Sequence, residues 1–167
     1  AEKTSQIVPF SMFDSEDPED LWAFLARYEE QTGGRAIAPA HNGNTSNGLM
    51  FNGKNFKGKK ITRSYAEVRM RFEPLYEVTQ IKGDGETHPL LSPNDEFADY
   101  ERWDVSNLSG TAPKEQWMLE YEYARSALKM GLKLGDELGV NPYKFGLFGT
   151  TDTHTALATS REENYFG

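Results

Sequence analysis

Three short apolar runs, residues 35–40, 75–81 and 145–150, punctuate the chain, and segments of helical spacing lie around them. Strand-like and helix-like segments in alternation predict an α/β domain with a parallel sheet, because crossover helices cover its faces. Asp17 suits a helix cap, Pro18 its first position, and Glu19 and Asp20 the positive end of its dipole. Leu21, Phe24, Leu25 and Tyr28 then recur at helical spacing until Gly33-Gly34, which predicts a helix over 18–32. A second helix is expected over 63–72, with Tyr65, Val68 and Phe72 on one side and Pro74 beyond its end. Ser92-Pro93 is expected to open a short acidic helix carrying Phe97, Tyr100 and Trp103. Pro113 is expected to open the longest helix, about 114–138, with Trp117, Tyr121, Ala124, Leu128, Leu132 and Leu134 on its apolar side.

The chain has 167 residues, which suits one domain, with 1–16 as an N-terminal extension or linker. Acidic residues number 26 and basic residues 18, a formal net charge of −8. That balance argues against a phosphate-backbone footprint and so against nucleic acid as a partner, while leaving a small anionic substrate open. No apolar run approaches the roughly 18 residues of a spanning helix, so no membrane partner is expected. Cysteine is absent, which removes disulfides, Cys-ligated zinc, iron–sulfur clusters and thiol nucleophiles. No Walker loop, G-x-G-x-x-G turn or G-x-S-x-G elbow occurs either.

In parallel α/β folds reactive groups collect at the carboxyl ends of strands. Here each expected strand ends in a polar cluster. The first delivers His41, Asn42 and Asn44 in the run His-Asn-Gly-Asn-Thr-Ser-Asn-Gly, the second leads to Glu86 and His88, and the third delivers Asp152 and His154. Asp152 and His154 lie two apart, so on an extended segment both face one side and could reach one cation. Zinc, manganese and iron all accept such ligands. An isolated D-x-H is more often a turn cap beside a histidine bonded to backbone, and His41 could equally sit satisfied at a loop entrance. Glu77 lies inside an apolar strand, where a carboxylate needs Lys82, an arginine or a metal unless it faces solvent. His88, before Pro89, is expected to be exposed or to anchor its loop.

The segments 40–48, 77–84 and 123–128, and the run Asn141-Pro142-Tyr143-Lys144-Phe145-Gly146 leading to Thr151-Asp152-Thr153-His154-Thr155, resemble a bacterial family of unknown function. That family is similar to the PHP (polymerase and histidinol phosphatase) domains of metal-dependent phosphoesterases. The resemblance implies a distorted (β/α)7 barrel with two or three divalent ions (zinc, manganese or iron) at the carboxyl ends of its strands. It implies Asp152, His154 and His41 as metal-ligating catalytic residues. Glu77 lies on a strand aimed at the same site, and Asn42, Asn44 and Thr153 would orient an anionic substrate. PHP-like domains open with an H-x-H motif that this sequence does not contain. With few strands and an aromatic-glycine end, the chain is therefore expected to be a C-terminal portion of a hydrolase domain. Such a piece would leave sheet edges open to self-association. The competing expectation is a non-catalytic binding or assembly module in which the same residues serve as turns and caps.

Overall fold

A computed structural model of the protein describes residues 3–155 and 161–164. Helix α1 spans Pro18–Thr32. The Asp17 carboxylate accepts the Glu19 N–H at 3.0 Å, and Gly33, at φ 73°, closes the helix by donating its N–H to the Glu29 carbonyl. Helix α2 spans Arg63–Phe72 behind a Thr62 cap, whose hydroxyl accepts the Tyr65 N–H at 3.2 Å. Strand β1 covers Leu75–Gln80, β2 Gly83–Asp84 and β3 Gly146–Gly149, and α3 runs from Ala124 to Leu138. Ahead of α1 the chain is irregular apart from a 3-10 turn at Thr4–Gln6, and Phe10 packs on Phe24.

The sheet order is β2-β1-β3. Strand β3 pairs with β1 in parallel, Leu75 opposite Gly146 and Glu77 opposite Phe148, with an irregularity between Glu77 and Thr79. Strand β2 returns antiparallel through a tight turn, so the sheet is mixed rather than purely parallel. Along the first half of β1 the edge away from β3 is taken by residues 38–40. The Ala40 N–H donates to the Leu75 carbonyl at 3.1 Å, and the Glu77 N–H donates to the Ala40 carbonyl at 2.9 Å.

Aromatic side chains fill the core. Trp22, Phe51, Tyr65, Phe72, Tyr76 and Tyr143 are buried with Ala124, Ala127 and Leu134. Phe51 meets Tyr76 and Tyr143 edge-on, at centroid distances of 5.1 and 5.3 Å. Arg69 is buried among them. It donates to Glu73 and to the Met50 carbonyl, each at 2.9 Å, and lies 4.8 Å from the Tyr143 ring centroid. Trp22 Nε1 donates to the other oxygen of Glu73 at 3.0 Å, which ties α1 to α2. Among the described residues no helix is long and apolar enough to cross a membrane.

The helices over 18–32 and 63–72 and the strands near 75–81 and 145–150 lie where their patterns place them. Other segments differ. The expected strand over 35–40 is irregular, with one parallel bridge, Ala40 to Tyr76; Ala38 and Ala40 turn their N–H groups toward Phe72 and β1, and Pro39, facing away, offers no N–H to a further strand. The expected acidic helix after Ser92 is a series of turns. There Asp95 accepts the Phe97 N–H through its own carboxylate, and Glu101 takes a left-handed φ of 43°. Phe97 and Tyr100 stand exposed. The expected helix over 114–138 is broken. A 3-10 stretch, Gln116–Tyr121, gives way to an extended Tyr123, and α3 starts afresh at Ala124. The Ala124 and Arg125 N–H groups donate to the Gly85 and Glu86 carbonyls, which replaces the missing helical turn. The buried face of α3 is Ala124, Ala127, Gly131 and Leu134, whereas Trp117 and Leu132 are exposed.

Candidate functional site

Residues 38–40, β1 and β3 run in one direction, so their carboxyl ends open on the same side of the sheet. That side gathers His41 and Asn42 after the first segment, Gln80 and Lys82 after the second, and Thr150, Asp152 and His154 after the third. Side-chain contacts tie the three ends together. Gln80 Nε2 donates to Asn42 Oδ1, Thr150 donates its hydroxyl to Glu77 Oε1, and Lys82 Nζ donates to Asp152 Oδ2.

Glu77 is the centre of this group. Its side chain alternates with the core-facing Tyr76, so it leaves the opposite face of the strand. Only 5% of it is exposed. One carboxylate oxygen is satisfied by Thr150. The other, Oε2, lies 3.3 Å from His41 Nδ1 but makes no hydrogen bond. A buried carboxylate oxygen without a donor is costly, so the arrangement favours a cation at that point. His41 itself is half exposed. Of the partners the sequence leaves open for Glu77, Lys82 gives its ammonium to Asp152 instead.

Asp152 adopts a left-handed φ of 49°, and its N–H donates to Thr150 Oγ1 at 3.1 Å. Thr150 therefore bridges Glu77 and the Asp152 backbone. The second Asp152 oxygen lies 3.3 Å from His154 Nε2. His154 is largely exposed, while Asp152 and Lys82 are mostly covered. Thr153 pairs its hydroxyl with Thr155 at 2.9 Å. The D-x-H residues thus do meet, and the histidine contacts the aspartate rather than backbone.

The Asn/Gly loop is held from below. Asn42 takes φ 57° and Gly43–Thr45 form a buried 3-10 turn. Asn44 is buried and donates both amide protons, to the Lys82 carbonyl at 3.0 Å and the Trp103 carbonyl at 3.3 Å. Its side chain therefore fastens the loop to the turn after β1. Underneath, Glu122 is fully buried and accepts from Lys114 at 2.6 and 2.7 Å and from the Gly48 N–H at 2.9 Å. The same ammonium donates to the Asn44 carbonyl at 2.7 Å. Burial pushes the Glu122 carboxyl above the usual range, against the opposing pull of Lys114. Periodicity placed Glu122 inside a helix and gave no sign of this role.

His88 is buried and anchors its loop, with Nε2 3.0 Å from Asp104 Oδ2 and Nδ1 accepting the Leu90 N–H at 3.2 Å. Its hydrogen bond holds the Asp104 carboxyl below the usual range. It stands apart from the other two histidines and is not exposed. A surface groove of about 340 Å³ between α1 and α2, walled by Trp22, Tyr65 and Phe72, contains none of the expected site residues.

Four of the expected metal donors therefore stand as two pairs, His41 with Glu77 and Asp152 with His154, joined through Thr150. Among the described residues no group of three or more His, Asp or Glu side chains is close enough to enclose one ion. The first pair sets an unsatisfied buried carboxylate oxygen beside an accessible imidazole, two of the three or four donors that a zinc site uses.

The fold and these residues define a mixed α/β protein with a polar cluster at the carboxyl ends of its parallel segments. The chain belongs to the family described as Protein of unknown function (DUF3604), whose sequence model matches residues 1–167. No curated protein and no solved structure matches it.

Proposed function

We propose that the chain carries part of a metal-dependent hydrolase centre, of the phosphoesterase type, within a PHP-like barrel. The observation that carries this reading is the buried Glu77 carboxylate, whose Oε2 lacks a hydrogen bond 3.3 Å from His41 Nδ1. In such a barrel, the parallel pairing of β1 with β3 would continue into strands beyond this sheet.

His41 and Glu77 would contribute to one zinc, manganese or iron site and Asp152 and His154 to another, the intact domain holding two or three ions with further ligands from elsewhere. A bound divalent ion supplies a water acidified to near neutrality and a Lewis acid for an ester oxygen. Thr150 holds Oε1 of Glu77 and leaves Oε2 for the ion. Gln80 holds Asn42 at the mouth of the site, and the Lys114–Glu122 pair keeps the His41 loop rigid. Asn42 and Thr153 would orient an anionic substrate, whereas Asn44 contributes by holding the loop.

The test is metal content of the purified protein by elemental analysis, beside chelator-treated protein, with p-nitrophenyl phosphate hydrolysis as the activity. Near-stoichiometric zinc, manganese or iron in the wild type, lost together with hydrolysis in Glu77→Gln and His41→Ala, is expected. Metal at background in all three folded proteins would refute the reading. That result would favour the second reading, a non-catalytic binding module, which is supported by Lys82 and His154 together engaging both oxygens of Asp152.

A further inference from the structure

We propose that Gln80 is a positioning residue that fixes the polarity of the Asn42 amide, so that Asn42 offers its N–H bonds, and not its carbonyl, to a phosphoryl oxygen of the substrate. The inference rests on the reading above for the class of ligand, and adds to it the donor atom and the residue that aims it.

A chain of hydrogen bonds carries it, and the chain starts at a group that acts in one sense only. The Lys82 backbone N–H donates to Gln80 Oε1 at 2.7 Å, and a backbone N–H can only donate. That contact assigns oxygen and nitrogen in the Gln80 amide. Gln80 is buried, so its other end needs a partner too, and Nε2 donates to Asn42 Oδ1. The same logic then passes to Asn42. Its Oδ1 is taken, which leaves Nδ2 with two protons, and among the described residues nothing accepts from it.

The Asn42 backbone is fixed as well. It takes φ 57°, in the left-handed region that asparagine tolerates, and its carbonyl accepts from both the N–H and the hydroxyl of Thr45, each at 3.1 Å. The unused amide end therefore stands on a rigid loop, next in the chain to His41 and at the carboxyl ends of the parallel segments. Such a donor is held ready before the ligand arrives, so no ordering of the side chain is left to oppose binding.

The sense of these bonds decides what fits. An N–H pair suits an oxygen that carries no proton, and the bond is stronger when that oxygen is charged. A reversed amide would set Asn42 Oδ1 against the same oxygen, lone pair to lone pair. The phosphoryl oxygen of a phosphate ester, which only accepts, is thereby favoured over an amine or ammonium group in its place.

The experiment is titration of the purified protein with inorganic phosphate, read by NMR of the side-chain amides in isotope-labelled protein and by calorimetry, for wild type, Asn42→Ala, Gln80→Met and the double variant. Circular dichroism establishes that each is folded. In wild type the Asn42 Nδ2 protons are expected to shift as phosphate binds, while the Gln80 Nε2 protons stay in place. Phosphate binding is expected to weaken about tenfold in Asn42→Ala and about three- to tenfold in Gln80→Met. The double variant is expected to bind no more weakly than Asn42→Ala, because Gln80 acts only through Asn42. Absence of phosphate binding by the wild type, or binding that leaves the Asn42 signals unmoved, would overturn the inference even where Gln80→Met does not fold. Additive losses in the double variant, or full affinity in Gln80→Met, would overturn it too. Metal and hydrolysis as expected above, beside phosphate binding indifferent to Asn42 and Gln80, would overturn this inference alone. Phosphate binding that depends on Asn42 in a protein without metal would support the Gln80–Asn42 arrangement and overturn the hydrolase reading.

Discussion

Replacing Lys114 by Met leaves a carboxylate buried without its counter-charge. Glu122 is fully buried and Lys114 nearly so, and the ammonium reaches both carboxylate oxygens and the Asn44 carbonyl within 2.7 Å. Breaking one side of a pair this deep costs about 3–5 kcal/mol, mostly because the remaining charge has lost water without a substitute. At about 2–4 °C per kcal/mol for a chain of this size, the midpoint of thermal unfolding should fall by about 6–20 °C. The deficit has a pH signature. Burial already raises the Glu122 carboxyl above the ordinary glutamate range, so the folded chain holds that proton more tightly than the unfolded chain. Such a group opposes folding once it ionises, and its effect grows as pH rises from the unfolded value through the folded one. Losing Lys114 raises the folded value further. The difference between variant and wild type should therefore be present at neutral pH, shrink as pH falls, and vanish below the ordinary glutamate range, where Glu122 is protonated in both states. Urea unfolding across that range measures it. The double variant Lys114→Met with Glu122→Met should recover most of the loss, because no buried charge remains. A neutral-pH deficit under about 1 kcal/mol, or a double variant as unstable as the single one, would refute the assignment of a buried ion pair beneath the loop.

Two further predictions concern the scaffold. A Cβ added at Gly43 would lie 2.3 Å from Tyr76 Oη and 2.7 Å from the Glu122 carbonyl, both fixed in the core, so Gly43→Ala should destabilise by about 1–3 kcal/mol or more in urea unfolding. Asp17→Ala removes the cap from α1 and should cost about 1 kcal/mol by the same assay, with Asp17→Asn retaining most of the wild-type stability.

The helices were legible where local chemistry decides them. Asp17, Pro18 and Gly33 bound α1, and Thr62 and Pro74 bound α2, through caps and backbone restrictions that involve only near neighbours. The break before α3 was not legible. Helical spacing continues through Glu122 and Tyr123, but the orphan N–H groups of Ala124 and Arg125 find carbonyls at Gly85 and Glu86, some forty residues earlier. Phe97, Tyr100 and Trp103 have the spacing of a helix, yet the first two lie on turns and Trp103 on irregular chain, and the Asp95 carboxylate takes the Phe97 N–H instead. The location of the candidate site was legible from polar residues after each strand. Its pairing was not: whether Lys82 meets Glu77 or Asp152 depends on the β1–β3 register and on the left-handed Asp152, neither of which a pattern reveals. Asn44 shows the same limit. It has the chemistry of a ligand-orienting amide, and long-range folding assigns both its protons to carbonyls.

The central proposal is that Glu77 helps to hold a divalent cation, and thermal unfolding of metal-free wild type and Glu77→Gln, each with and without Zn²⁺ or Mn²⁺, tests it most directly. Without metal, Glu77→Gln should be as stable as wild type or more so, because a neutral amide replaces a buried carboxylate whose Oε2 has no donor. With metal at about a hundred times its dissociation constant, binding to the folded state adds about 2.7 kcal/mol. That should raise the wild-type midpoint by about 5–10 °C and leave Glu77→Gln unmoved. An equal rise in both proteins, or no rise in the wild type with either ion, would contradict the account.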